Sequence, residues 1–140
     1  MTDIIDQAKT FRLLEQRIAT TTNPRHLLML ERLLQHAAAE AKPDLDAVMS
    51  TLSANPRYIT WGAPPEMSPD GREAVQAFYE ERIVKDGLFC LEMDMDRLMV
   101  DDDTIVTEGY LRSVYYGADA ARQGLPADDP QGFYCSHCEC

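Results

Sequence analysis

The sequence is short of positive charge and has no long apolar run. It contains 13 Lys and Arg residues against 24 Asp and Glu, a net charge of −11 over 140 residues. A protein this acidic repels phosphate backbones and anionic lipids, so we expect no nucleic-acid partner. No apolar run approaches the ~20 residues of a membrane span, and the start of the chain (MTDIIDQAKT) lacks a basic stretch followed by an apolar core. These absences predict a cytoplasmic protein with no membrane contact.

Motifs that bind common cofactors are also missing. The chain has no HExxH metal helix, no GxSxG nucleophile turn and no glycine-rich phosphate loop. It has no internal repeat and no heptad run long enough for a coiled coil. Any chemistry is therefore predicted to need no cofactor.

The four cysteines do not suggest a disulfide framework. Cys90 lies in an apolar stretch, where a buried free thiol is expected. The others crowd at the end of the chain together with a histidine: Cys135, Cys138, Cys140 and His137. Structural zinc sites usually take pairs of ligands from two segments, and no second pair is present. Residues 135–140 are therefore predicted to form a mobile, reducible tail without a metal.

Apolar spacing predicts three helices in the first part of the chain. The first runs from about Asp3 to Ile18. Asn23 is the predicted N-cap of the second helix and Pro24 its first-turn residue, and Pro43 ends it. A shorter helix follows over Asp44–Leu52.

The middle of the chain predicts a further helix and a hairpin. Arg57–Trp61 is predicted to be a short strand before a proline-rich loop. Gly71–Ile83 has the apolar spacing of an amphipathic helix, which Gly87 ends. Two β-rich runs, Leu88–Val100 and Thr104–Tyr116, are separated by three aspartates, which is typical of an antiparallel hairpin.

This order of elements predicts an α+β fold with helices on one face of a curved antiparallel sheet. The helix Gly71–Ile83 is expected to pack in the concave face, with room left for a pocket. Residues 1–22 form an extra N-terminal helix in this prediction, residues 23–134 the domain, and residues 135–140 the tail. Gly117–Gly132 is predicted to be a loop, unless its alanines form one helical turn.

Three segments resemble the SnoaL-like branch of the NTF2-like superfamily: HAAAEAKPDLDAVMSTLSANPRYITWG (His36–Gly62), GREAVQAFYEERI (Gly71–Ile83) and DDDTIVTEGY (Asp101–Tyr110). The resemblance implies a cone-shaped α+β barrel with a deep apolar cavity, and usually a homodimer. The branch includes polyketide cyclases, ketosteroid isomerases, epoxide hydrolases, dehydratases and many binding proteins. It normally supplies another long strand after Tyr116, for which FYCSHCEC leaves little room, so the barrel is completed by the loop, by a partner chain, or not at all.

Glu108 is the strongest candidate for a general base. Strand alternation puts it on one face with Val106, Tyr110 and Arg112. If that face lines a cavity, loss of water raises the pKa of the carboxyl toward the useful range. Alternatively, Glu108 pairs with Arg112 or Arg97 across the hairpin.

His36 and Glu40 lie four residues apart on one helical face. A histidine oriented by a carboxylate can act as an acid or a base, although a surface pair has the same spacing. The acidic residues of the first hairpin strand (Glu92, Asp94 and Asp96) alternate with apolar ones and are predicted to face water.

A pocket is predicted to be lined by aromatic side chains and one cation, although core packing is the alternative for the aromatics. The predicted ligand-binding residues are Tyr58, Trp61, Phe78, Tyr79, Tyr110 and Arg112. Together with the resemblance, they predict a homodimer that binds a small hydrophobic ligand. The enzymatic hypothesis is cofactor-free isomerisation, cyclisation, dehydration or epoxide opening, with Glu108 as base and His36 or a tyrosine as partner. The alternative is a non-catalytic binding or accessory protein.

Overall fold

The computed structural model describes residues 5–122 and 124–139. These residues contain five α-helices and three strands. In chain order they are α1 (Ala8–Thr20), α2 (Pro24–Ala41), α3 (Leu45–Thr51), α4 (Arg72–Glu80), β1 (Leu88–Val100), β2 (Ile105–Tyr116), α5 (Gly117–Arg122) and β3 (Phe133–Glu139). No helix within these ranges is both long and apolar enough to cross a membrane. The predicted α+β class is confirmed.

The helix boundaries follow local capping signals. The Asn23 side chain accepts hydrogen bonds from the first-turn backbone of α2, at 2.8 Å and 3.4 Å, and Pro24 opens that helix as predicted. The Asp44 carboxylate caps α3 in the same way, at 3.0 Å. The first helix begins later than predicted, at Ala8. The predicted residues 3 and 4 of that helix lie outside the described residues.

The sheet is antiparallel with strand order β1-β2-β3. The predicted hairpin is confirmed, with pairing that extends from Leu88 opposite Tyr115 to Val100 opposite Ile105. The Asp101 carboxylate closes its turn by accepting the backbone N–H groups of Asp103 and Thr104, at 2.9 Å and 2.7 Å. These hydrogen bonds favour the ionised form and lower the pKa of Asp101.

The end of the chain forms a strand where a tail was predicted. The backbone of β3 pairs with β2 from Phe133 opposite Tyr116 to Glu139 opposite Tyr110. The alanines of the predicted loop form a short helix, α5, which was the alternative to a loop. It reverses the chain, and the Gly117 N–H donates to the Gly132 carbonyl at 2.8 Å. Pairing satisfies backbone groups that would otherwise be unbonded on both segments, which a free tail would not do. Cys140 lies outside the described residues.

Two apolar clusters hold the layers together. The first joins α1 and α2 to the sheet, through Leu14, Leu30, Ala37, Met95 and Leu98. The second joins α2, α3 and α4, through Ala39, Val48, Met49, Val75 and Tyr79. The predicted packing of the fourth helix on the sheet is found only in part: α1 and α2 cover the sheet around Met95 and Leu98, while α4 packs on α3 and faces the hairpin across a cleft. It reaches β1 chiefly through its π-helical continuation, Glu81–Lys85.

The predicted strand Arg57–Trp61 is wrong. Only Arg57 pairs, in an isolated bridge with Asp70. Thr60 instead bonds its own loop, since its N–H donates to the Ser68 hydroxyl at 2.9 Å and its hydroxyl to a loop carbonyl. These local bonds take the place of a sheet ladder and leave Trp61 91% exposed.

α1 covers the open edge of β1. The buried Thr10 hydroxyl accepts the Met93 backbone N–H at 3.0 Å, and the Arg17 guanidinium donates to the Leu98 carbonyl at 2.7 Å. An uncovered strand edge invites pairing with other chains, and a helix along it removes that risk. β3 forms the opposite edge of the sheet.

Candidate functional site

Five polar side chains meet between α2, α3, α4 and the loop after α3, and we call them the polar network. The Tyr79 hydroxyl donates to the Glu40 carboxylate at 2.6 Å and lies 2.8 Å from the Tyr58 hydroxyl. His36 Nε2 lies 3.4 Å from both Glu40 and the Tyr79 hydroxyl. His36 Nδ1 lies 2.7 Å from the Thr51 hydroxyl. The network thus links two titratable groups of one helix to two tyrosines from elsewhere.

The hydroxyl partners indicate the direction in which the hydrogen bonds of the network run. Thr51 donates its hydroxyl hydrogen to the Val48 carbonyl at 2.6 Å, so it can only accept from His36. Nδ1 of His36 therefore donates to Thr51, and Nε2 faces Glu40. Tyr79 donates its hydroxyl hydrogen bond to Glu40, so the Tyr58 hydroxyl is the donor to Tyr79. The result is a directed chain of donors that ends at the Glu40 carboxylate.

Local structure holds each member of the network in place. His36 and Glu40 share a face of α2 because they are four residues apart. Tyr79 is buried at the end of α4, where Phe78 and Tyr58 pack edge-on against its ring with centroids 5.5 Å and 6.0 Å away. Arg72 ties α4 to α3 by donating to the Met49 carbonyl at 2.9 Å.

The network shifts the pKa values of its acids in opposite directions. Burial acts to raise the pKa of Glu40, but the hydrogen bond and charge of His36, together with the Tyr79 hydrogen bond, lower it below its ordinary 4.5. Burial, the Glu40 charge and the donated hydrogen bond raise the pKa of Tyr79 far above its ordinary 10.0. Burial also raises the pKa of Tyr58. Glu40 is therefore a carboxylate at neutral pH, and both tyrosines keep their protons.

Two clefts open on either side of the network. The first cleft, about 540 Å³, lies along α2, and His36, Thr51 and Tyr58 are among its lining residues. The second cleft, about 200 Å³, lies between α4 and the β1–β2 hairpin, and Glu40 and Tyr79 line it. The remaining walls are mainly apolar. A small ligand in either cleft would therefore meet an apolar surface and one side of the polar network.

The structure brings together half of the residues predicted for the site. His36, Tyr58, Phe78 and Tyr79 line the two clefts. The other four lie elsewhere: Glu108, Trp61, Tyr110 and Arg112. Trp61 projects into water, and the three strand residues share the outer face of the sheet, which is the face away from α1 and α2.

Glu108 is not withdrawn from water. Its side chain is 54% exposed and pairs with Arg97, opposite it on β1, at 3.5 Å. The structure therefore contains the alternative predicted for Glu108, an ion pair with Arg97. Gly109, the next residue, is buried on the inner face, so alternation turns Glu108 outward.

Glu92 is the buried acid that sequence reasoning missed. It was predicted to face water, but it is 1% exposed. Its carboxylate pairs with Arg112 across the hairpin and accepts the Asp6 backbone N–H at 2.5 Å. Alternation predicted its face correctly, but not that the chain before α1 covers that face. Arg112 thus forms an ion pair with Glu92 and lines neither cleft.

No family model matches the chain, and neither the curated proteins nor the solved structures compared with it give a match. Among the described residues, no group of three or more His, Cys, Asp or Glu side chains is placed to hold a metal ion. The interpretation of the site therefore depends on its own geometry.

The lowered pKa of Glu40 predicts a pH-dependent contribution to stability. Because the folded pKa lies below the ordinary 4.5, the fold favours the carboxylate; the contribution is complete above that value and is lost as the pH falls through the folded pKa. Wild type should melt higher than Glu40→Gln at about pH 7, and the gap should close as the pH drops below about 4.5.

Calorimetry across that range measures the gap. Glu31→Gln is the matched control, since Glu31 is exposed on the same helix. A wild-type advantage over Glu40→Gln that stays constant with pH would show that the Glu40 charge contributes nothing.

Proposed function

We propose that this chain binds a small hydrophobic ligand in the first cleft and acts on it as a cofactor-free acid/base enzyme. The observation that carries the proposal is the position of the polar network: His36 and Tyr58 line the same apolar cleft, and the Glu40 carboxylate lies 3.4 Å from His36 Nε2. An imidazole is the side chain best suited to proton exchange near neutral pH. A carboxylate next to the ring stabilises the imidazolium that forms when the ring takes a proton.

In this proposal His36 is the general base and Tyr58 the general acid. His36 would take a proton from carbon next to a carbonyl, or from a water that opens an epoxide. Tyr58 has one hydroxyl hydrogen, which would turn from Tyr79 to the oxygen on which negative charge develops. Tyr79 and Glu40 would position these two groups. The reactions that need only these steps are isomerisation, cyclisation, dehydration and epoxide opening.

A non-catalytic binding or accessory role is the second candidate, and one observation favours it. Both ring nitrogens of His36 already have partners within the polar network, Thr51 and Glu40. A ligand-binding protein needs no more than the apolar cleft.

Ligand binding is tested by thermal shift with a panel of small hydrophobic ketones, epoxides and alcohols. At a concentration 100 times its Kd, a ligand stabilises the fold by about 2.7 kcal/mol, which raises the melting temperature by several degrees. Met29→Glu, which puts a charge on the wall of the first cleft, should abolish the shift. Met99→Glu is the control, because Met99 is 58% exposed and lines neither cleft. Stabilisation that survives Met29→Glu would place the ligand elsewhere.

We also propose that the fold is an NTF2-like cone of the SnoaL-like branch. The order of helices followed by a long hairpin supports it, as does β3, which supplies a strand after Tyr116. The second cleft between α4 and the hairpin is where the cavity of such a cone would lie. A crystal structure with the sheet wrapped around α4 would support the proposal, and a flat sheet would contradict it.

A homodimer is part of the same proposal. α1 covers one edge of the sheet, and β3 forms the other edge, which a second copy of the chain can cover. Tyr116 and Phe133, stacked at this end of the sheet with centroids 5.0 Å apart, are each about two-fifths exposed. Sedimentation equilibrium at micromolar concentration should give twice the 15.8 kDa chain mass. A single species at the chain mass would contradict the dimer.

A further inference from the structure

The first cleft is lined by two arginines, although the protein as a whole is strongly acidic. Two of its lining residues are arginines, Arg25 and Arg32, and none of the described residues lining it is Asp or Glu. The net charge of the chain is −11, so acidic side chains are the commonest charged groups elsewhere. A cleft for a purely apolar ligand needs no arginine. The two arginines therefore indicate a ligand that carries a negative group.

The two arginines lie on the same stripe of α2 as the proposed catalytic histidine. Arg25, Met29, Arg32 and His36 follow one another at helical spacing of four, three and four residues. With a rise of 1.5 Å per residue, Arg32 lies about 6 Å from His36 along the helix axis and Arg25 about 16 Å. Arg32 is thus one helical turn from the polar network.

Neither guanidinium is neutralised by a carboxylate in the described part of the chain. Arg25 Nε donates to the backbone carbonyl of Asp102 at 2.9 Å, while the Asp102 carboxylate lies 3.0 Å from His26. Arg32 is exposed and makes no hydrogen bond or ion pair with a described residue. Arg32 therefore offers a full set of donors at the mouth of an apolar cleft.

We propose that the ligand of the first cleft is an amphiphile with a carboxylate, which Arg32 binds while the apolar part lies against Leu28, Leu33 and Leu52. A guanidinium matches a carboxylate with two parallel hydrogen bonds, and this gives orientation as well as affinity. The spacing along α2 sets the carboxylate about one helical turn from the carbon that His36 and Tyr58 would act on. The inference rests on the proposed function, whose substrate class it names as hydrophobic carboxylic acids.

The test compares decanoate with decanol, which share a chain and differ in charge. Isothermal titration of the whole chain, below the micelle concentration of each probe, should show decanoate binding about tenfold more tightly than decanol. Arg32→Gln should weaken decanoate about fivefold to tenfold and leave decanol unchanged. Arg97→Gln is the matched control, because it removes one exposed arginine from the sheet and should change neither affinity.

The outcomes separate this inference from the proposed function. If both probes bind equally well, or if Arg32→Gln behaves like Arg97→Gln, the carboxylate class is wrong while the hydrophobic cleft stands. If neither probe binds, the hydrophobic cleft is wrong and the inference is overturned with it. Added salt should weaken decanoate binding alone, and equal weakening of both probes would contradict the role of charge.

Discussion

Arg112→Met is expected to destabilise the protein by about 3 kcal/mol, and to lower its melting temperature by roughly 10 °C. The reason is that the substitution leaves the buried Glu92 carboxylate without its cation. Glu92 is 1% exposed, and Arg112 is the cation paired with its carboxylate across the hairpin. Without Arg112 the Glu92 charge stays buried with the Asp6 N–H as its remaining strong partner, and an uncompensated buried charge is costly.

Two further variants isolate that cause. Arg97→Met breaks the exposed pair with Glu108 and should change stability by no more than about 0.5 kcal/mol. Adding Glu92→Gln to Arg112→Met removes the stranded charge and should recover most of the loss. Urea unfolding of the four proteins measures the differences. If Arg112→Met lowers the free energy of unfolding no more than Arg97→Met does, Arg112 does not stabilise the fold by pairing with Glu92. Its predicted role in ligand binding would then need to be tested.

Sequence reasoning succeeded where the information is local. Asn23 was predicted correctly as a helix cap because a cap bonds backbone groups two or three residues away. The hairpin was recognisable because its two strands and its aspartate turn are contiguous. Such features need no knowledge of the rest of the fold.

The site was only half recognisable because it depends on distant contacts. His36 and Glu40 were paired by helical spacing, but Tyr79 reaches Glu40 from another helix 39 residues away, and no local pattern encodes that approach. For the same reason Glu108 was predicted to be withdrawn from water and is exposed, whereas Glu92 was predicted to face water and is buried. Alternation tells which residues share a face, but whether that face is covered depends on Asp6, 86 residues from Glu92.

His36→Gln is expected to lower turnover by about 10²-fold or more, the usual effect of losing a positioned base. In the proposed mechanism the His36 ring takes the proton, and an amide cannot do so. Glutamine can still donate a hydrogen bond, so the variant should fold. Glu108→Gln is the matched control, because Glu108 is exposed on the outer face of the sheet and lines neither cleft.

The most direct test of this account is therefore the turnover of wild type, His36→Gln and Glu108→Gln with one panel of β-keto esters, β,γ-unsaturated ketones and epoxides. The melting temperature of each protein shows that it is folded. The account predicts that Glu108→Gln retains wild-type turnover and that His36→Gln loses about 10²-fold or more at an unchanged melting temperature. Full activity in folded His36→Gln, or an equal loss in Glu108→Gln, would contradict the assignment of the polar network as the active site.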